Sequence, residues 1–350
     1  MTAVNFEAAV LFATQTAEGT YNSGLDALTT TLNRTDGLLL GSSGEGVKDS
    51  GLTFGTGRVF EQRGITGSGF TRALSNFLRA NVPTFTFVCP FVGSREDASS
   101  PPVDADMDLS TTLPGLDALL EGMGMEGNAI ASATVGHEYK FGSPAPISAL
   151  VYASGNRLEL LDCRVDASID FTPGAVPKLT ATISVGSIKD ASTYTIGSLS
   201  TTYGAQQSVA APIVEDAIYT WSVARSFESG TLSFGTTIED KQRSNAVDGV
   251  SKKITNREVR WTSRVLMDSA AAAQEYGQLT ETDSANLDAM SWEVGDAATA
   301  TNPVEQVQIS IPQPELESFD FTEDGNDAVA DIVARASHAT ANEELTISFF

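Results

Sequence analysis

Ile147-Ser148-Ala149-Leu150-Val151-Tyr152 reads as one strand, Ala153-Ser154-Gly155-Asn156 as a turn, and Arg157-Leu158-Glu159-Leu160-Leu161-Asp162-Cys163-Arg164-Val165-Asp166-Ala167-Ser168-Ile169-Asp170-Phe171 as the returning strand. Apolar and polar residues alternate over much of it, the period of a half-buried sheet. Gly155 and Asn156 sit where a tight hairpin needs positive φ. A Pro/Gly corner, Pro173-Gly174-Ala175-Val176-Pro177, leads into a third alternating segment, Lys178 to Gly186. The fold expected from this stretch is mainly β.

Upstream, Leu113-Pro114-Gly115-Leu116-Asp117-Ala118-Leu119-Leu120 reads as a short helix, and Gly122-Met123-Gly124-Met125-Glu126-Gly127 as a Gly-rich break. A chain of 350 residues with 41% hydrophobic and 19% charged residues has the composition of a folded protein, and its length favours two domains. No apolar run reaches the roughly 20 residues of a membrane helix. Met1 to Glu7 lacks a positive segment and a long apolar core, so neither a secretory signal nor membrane anchoring is expected. Lys and Arg number 21 against 45 Asp and Glu, a net charge of −24. Such a surface repels phosphate, which argues against nucleic-acid binding by the chain as a whole. The two cysteines, Cys89 and Cys163, lie in apolar strand-like surroundings and read as buried free thiols, in keeping with a reducing cytoplasm.

The order of these phrases resembles the major tail tube proteins of tailed bacteriophages. In that family a Pro-led short helix precedes a β-hairpin whose returning strand carries a Cys-Arg phrase, and another strand follows a Gly/Pro corner. Here the phrases are Pro114 to Gly124, Asp162-Cys163-Arg164-Val165, and Pro173 to Ser184. Thr16-Ala17-Glu18-Gly19-Thr20-Tyr21 is similar to the family's Glu-x-Gly-Thr-Tyr opening, without the spacer between Glu and Gly. The resemblance covers roughly Met1 to Asp190. It implies a tail-tube-type β-sandwich or barrel with a flanking short helix. It also implies self-association into stacked rings, contacts with other phage tail proteins, assembly in the host bacterial cytoplasm and a final place in the virion tail. Genome DNA would pass through the lumen without specific binding, and an acidic wall would keep phosphate from adhering.

The rest of the chain is read as two tandem β-rich domains, 1–200 and 201–350, divided in the Ser/Thr/Gly-rich Ala191 to Ser208. The second is either another tube-like domain or an outer Ig-like decoration. A tandem arrangement favours a trimeric ring with pseudo-six-fold symmetry, the hexamer being the alternative. Leu52-Thr53-Phe54-Gly55-Thr56 and Leu232-Ser233-Phe234-Gly235-Thr236 share one phrase across the halves. Val4 to Leu11 is apolar and reads as a strand or a helix, and further strands are expected at 52–62 with 65–73, Val82 to Val92, 219–226, 230–240, 304–311, 316–321, 328–336 and 345–350. Ile254 to Met267 reads as one long strand, the prolines flanking 82–92 mark an edge or a termination, and Ser75 to Arg79 reads as a helical turn. Ser269 to Leu279 has a cap, an alanine run and Gly277, the pattern of a helix, which Asp283 to Met290 extends or repeats. Thr14 to Asp36, Gly41 to Asp49 and Ser94 to Asp108 are polar stretches expected to make contacts between subunits.

No motif assigns catalytic, cofactor-binding or metal-binding residues, and the expected role is structural rather than enzymatic. His137 and His338 stand apart from the cysteines, and no Gly-x-Ser-x-Gly elbow is present. Gly64 to Gly69 lacks the Lys-Ser/Thr of a phosphate loop. Asp104-Ala105-Asp106-Met107-Asp108 lacks the Gly and distal Glu of a calcium loop. Trp221, Trp261 and Trp292 read as core or subunit-contact residues. Two other classes fit the composition: a receptor-binding or adhesin-like β protein, and a hydrolase using paired carboxylates.

Overall fold

The computed structural model describes residues 8–23, 37–40, 53–55, 58–62, 76–81, 84–91, 116–130, 136–153, 156–175, 177–193, 218–221, 223–225, 227–242, 250–267, 288–294, 307–324, 327–337 and 342–349. In chain order these form β1 (Ala8–Thr14), β2 (Gly37–Leu40), β3 (Thr53–Gly55), β4 (Arg58–Gln62), β5 (Asn76–Asn81), β6 (Thr84–Pro90) and the helix α1 (Asp117–Gly122). There follow β7 (Met125–Ile130), β8 (Gly136–Phe141), β9 (Ile147–Ala153), β10 (Asn156–Phe171), β11 (Lys178–Ser184) and β12 (Ser187–Thr193). Next come β13 (Ile218–Trp221), β14 (Val223–Arg225), β15 (Phe227–Ser233), β16 (Thr237–Gln242), β17 (Val250–Asn256) and β18 (Arg260–Leu266). The last are β19 (Met290–Val294), β20 (Val307–Ile311), β21 (Gln313–Asp324), β22 (Asp327–Ser337) and β23 (Thr346–Phe349). The protein is mainly β, and its ladders are antiparallel.

β10 is the strand on which the sheets turn. Its first part pairs with β9 on one flank and β12 on the other; its second part pairs with β11 and β15. It therefore belongs to two stretches of one twelve-stranded sheet. One holds β2, β1, β9 and β12; the other holds β3, β6, β11, β15, β18, β22 and β21. Between them the β9 ladder slips from Leu160 to Cys163. Asp162 stands there with φ 53°, a left-handed conformation that costs most residues about 1–2 kcal/mol and that Asp tolerates through its short polar side chain. This is a bulge that re-aims the strand.

Beyond the bulge the period-2 pattern is kept without interruption. Cys163, Val165, Ala167, Ile169 and Phe171 are buried. One inward row crosses the sheet as Cys89, Leu179, Ile169, Leu232, Trp261, Ala334 and Leu316, each opposite the next. A neighbouring row sets Phe87 against Ala181 and Ala181 against Ala167, so that a large ring meets small partners.

A second, seven-stranded sheet runs β14-β13-β19-β20-β23-β8-β7. Its inward row is Trp292, Ile309, Ile347 and Tyr139. The two sheets face each other through aromatic side chains. Trp261 and Trp292 have ring centroids 3.8 Å apart, Phe91 and Phe349 are 5.7 Å apart, and Phe171 lies 5.7 Å from Trp261. This is sheet-on-sheet packing, a sandwich over one apolar core. Among the described residues neither large sheet closes on itself into a barrel.

The strands read at 147–152, 157–171 and 178–184 form and pair in the expected order, while residues 154, 155 and 176 of the turn and corner lie outside the described residues. Several other expectations are corrected. The helix comes later than read: its described turns are Asp117–Gly122, and Met125 to Gly127 opens a strand instead of continuing a break. Residues 76–79 belong to β5, held extended by β4. β6 lies between β11 and β3, so its flanking prolines terminate it without making it an edge. The stretch 254–267 is two strands interrupted at Arg257 to Val259, and residues 234–236 likewise break 230–240. Met290 begins β19. β8 and β12 were not legible in the pattern. The helix expected at 269–279 and the strand expected at 65–73 lie outside the described residues.

The expected boundary near residue 200 runs between strands that pair with one another. β10 is hydrogen-bonded to β15, and β8 to β23, so stretches before and after residue 200 share both large sheets.

Candidate functional site

After β1 the chain continues over the bulge of β10, and its root is held there by polar contacts. The Gln15 N–H donates to the Pro146 carbonyl at 3.0 Å. With its nitrogen turned toward the carboxylate, the Gln15 carboxamide donates to Asp162 Oδ1 at 2.8 Å. Its oxygen accepts from the Asp162 N–H at 3.0 Å and from Ser148 Oγ at 3.2 Å. Ser148 Oγ in turn accepts the Asn22 N–H at 3.1 Å, and Asn22 Nδ2 donates to the Thr14 carbonyl at 2.9 Å. The Gly19 N–H donates to Asp162 Oδ1 at 2.7 Å across 143 residues of sequence. Gly19 has φ 80°, a conformation glycine adopts without strain.

Neighbouring elements close round this root. The Ser251 hydroxyl of β17 donates to Glu18, and the Thr14 hydroxyl donates to Glu121 of α1. The Lys189 ammonium of β12 sits 3.9 Å over the Tyr21 ring and 2.8 Å from Glu159. Arg157 makes a second pair with Glu159 at 2.9 Å. Arg164, one residue past Cys163, donates to the Pro144 and Ala145 carbonyls at 3.1 and 3.3 Å. Burial draws its pKa below the ordinary guanidinium range, and the charges of Glu18 and Asp162 oppose that shift.

The helix abuts the same corner. A Cβ on Gly122 would lie 2.7 Å from Val165 Cγ2 and 2.9 Å from Ile147 Cδ1, so the close approach of helix and sheet needs glycine there. Asp117 accepts from the Tyr139 hydroxyl at 2.7 Å. The Glu121 carboxyl is raised above its ordinary range, first by burial and further by Asp117 and Glu126, while the Thr14 hydrogen bond works the other way. Thus Thr16 to Tyr21, the described part of Pro114 to Gly124, and Asp162 to Val165 come together at one corner.

Of the polar stretches expected to contact neighbours, residues 14–23 are described and form this root. Residues 24–36, 41–49 and 94–108, with His338 and the glycines at 64–69, lie outside the described residues. His137 is on β8 opposite Phe349. Cys89 and Cys163 are buried free thiols. Burial pushes Cys89 up to about 12, and Cys163 is also raised, by burial and by Asp162 beside it. Trp261 and Trp292 are wholly buried in the core, as read. The joining of Gly19 to Asp162 was not visible in the sequence, although each lies in a phrase singled out there.

The other notable surfaces are strand edges. Among the described residues β2, β3, β12 and β21 end branches of the twelve-stranded sheet, and β14 and β7 end the seven-stranded one. On β12 Ile188 is 37% exposed, and on β21 Phe321 is 41% exposed. Phe321 packs edge-on against Phe319, with centroids 4.8 Å apart. Such rows of backbone N–H and C=O groups are templates for pairing with another strand. Comparison of the chain with protein-family models and with curated proteins finds no match.

Proposed function

We propose that the chain is a structural subunit of a bacteriophage tail tube. The observation that supports this reading is the polar corner at which residues 15–22 are held against a sandwich that has open sheet edges among the described residues. There the Gly19 N–H meets the Asp162 carboxylate at 2.7 Å. Three of the four phrases that resemble the tail tube family meet at that corner, and its contacts hold residues 15–22 in place. Open edges give each copy the means to pair with neighbours, and closure of a ring satisfies every edge.

Stacked rings would build the tube, with other tail proteins at its ends, and genome DNA would pass through the lumen. The role is one of assembly and passage, without a chemical step. With 45 acidic against 21 basic residues, a carboxylate-lined wall would repel phosphate. Each ring holds three copies in this reading, with six as the alternative.

Negative-stain electron microscopy of the concentrated protein tests it. Rings or tubes with a central hole are expected, and counting copies in the ring decides between three and six. Single particles at every concentration that instead bind glycans or cell surfaces would replace this reading with a receptor-binding one.

A further inference from the structure

The apolar core holds two polar groups that the protein itself does not answer. Trp261 is wholly buried and Ser263 is 3% exposed, and among the described residues neither Trp261 Nε1 nor Ser263 Oγ has a hydrogen-bond partner. An indole N–H can only donate, while a hydroxyl both donates and accepts. A buried polar group left unpaired carries its full desolvation cost, and nearly all such groups in folded proteins are satisfied by protein or by ordered water.

The two groups share one place in the sheet. Trp261, Ser263 and Val265 form the inward row of β18. Gly230 of β15 lies directly opposite Ser263, and Leu232 opposite Trp261. The indole leans toward Gly230: a Cβ there would lie 2.6 Å from Cζ2, 2.7 Å from Cη2 and 3.6 Å from Cε2, the carbon that carries Nε1. Directly opposed residues have Cβ atoms about 4.5–5.5 Å apart, so the nitrogen edge of Trp261 and the Ser263 hydroxyl flank the same spot above Gly230. On the other flank β22 sets Ala334 opposite Trp261 and Ile332 opposite Ser263. Neither these nor Leu232 can pair with a polar group. One water bridges two groups up to roughly 6 Å apart, two hydrogen-bond lengths.

We propose that a single internal water molecule is bound between Trp261 Nε1 and Ser263 Oγ, above Gly230, as a fixed part of the core. It accepts from the indole N–H and shares a hydrogen bond with the hydroxyl, which gives it the two polar partners a buried water needs. The surroundings select water over a larger ligand. Phe171, Phe227 and Trp292 crowd the Trp261 ring, with centroids 5.7, 6.4 and 3.8 Å away. The water holds the indole where the two sheets meet, and Ser263 acts through it as a positioning residue for the contact of Trp261 with Trp292. The inference concerns the core of the subunit and stands whether or not the chain builds a tube.

A structure of the full chain fine enough to show ordered water tests it, from crystals or, where the chain has built tubes, by electron cryo-microscopy. The parent should show one density peak within hydrogen-bond distance, about 2.7–3.2 Å, of both Nε1 and Oγ. A direct bond from the indole N–H to the Ser263 hydroxyl would overturn the proposal, and so would two groups with neither a bond nor a peak between them. Ser263→Ala removes one of the two partners and should lose the peak. A peak that stays in place in that variant would show that Ser263 does not hold the water, and would overturn the pairing. The parent alone decides the matter if the variant does not fold.

Discussion

Asp162 combines two demands that substitution can separate. Its carboxylate accepts from the Gly19 N–H at 2.7 Å and the Gln15 carboxamide at 2.8 Å, and its backbone sits at φ 53°. Hydrogen bonds to a charged group contribute about 1.5–3 kcal/mol. A Cβ in the left-handed region costs about 1–2 kcal/mol more for residues without a polar side chain to offset it. Asp162→Ala loses the acceptor and meets the backbone cost, so about 3–5 kcal/mol of destabilisation is expected. Asp162→Gly loses the acceptor but relieves the backbone, and should fall about 1 kcal/mol short of alanine after its own entropy cost. Asp162→Asn keeps a left-handed preference and one acceptor oxygen, and should lose only about 1 kcal/mol. Urea titration read by fluorescence of the buried Trp261 and Trp292 measures all three. Limited proteolysis across residues 15–23 should accelerate in the same order. Equal losses for alanine and glycine would refute the claim of backbone strain. An asparagine variant as unstable as alanine would refute the account of the carboxamide as a substitute acceptor.

Gly230 faces Trp261, and a Cβ there would lie 2.6 Å from Cζ2 and 2.7 Å from Cη2 of the indole. Because Trp261 is wedged against Trp292 at 3.8 Å, Gly230→Ala should destabilise by about 1–3 kcal/mol and alter the near-ultraviolet circular dichroism; an unchanged spectrum and melting temperature would contradict the packing. Glu121 has a raised carboxyl pKa in the folded state, so the folded chain holds its proton more tightly than the unfolded one. Stability from this group is present below the unfolded carboxylate range and lost as pH rises through the folded pKa. Glu121→Gln should therefore gain on the parent as pH rises through that window and show no advantage in acid. Melting temperatures of parent and variant across pH that diverge in the opposite sense would show the assignment to be wrong.

The pairing of β10 with β11 was legible because beyond the bulge both strands bury alternate residues, and there local alternation and tertiary burial agree. Agreement fails where tertiary contacts override a local signal. Residues 76–79 look helical in isolation but are held extended by β4. Val259 is buried in phase with Trp261, which hides the break between β17 and β18. A remote contact accompanies that break: Gly235, at φ 54°, comes so close that a Cβ there would lie 2.5 Å from the Glu258 carbonyl oxygen. The prolines around β6 gave a sound termination and a false edge, because a proline reports on its own missing N–H and says nothing about the neighbours of the strand beside it. At the candidate site each phrase was readable, while their meeting was not. A bond spanning 143 residues leaves no trace in composition or period.

The pairing of β23 with both β20 and β8 also has a consequence in time. Strand β23 joins β7 and β8 to the other strands of the seven-stranded sheet, yet it is synthesised about two hundred residues after β8. At about 5–20 residues per second that is a wait of roughly 10–40 s. During that wait β8 lacks its β23 partner, on which its inward Tyr139 meets Ile347. Folding dominated by such distant pairings is slow, and the nascent chain carries an unfinished sheet while other copies are being made beside it. Chaperone dependence during synthesis, and recovery of soluble protein when translation is slowed or cooled, follow from the position of four residues in the order of the chain.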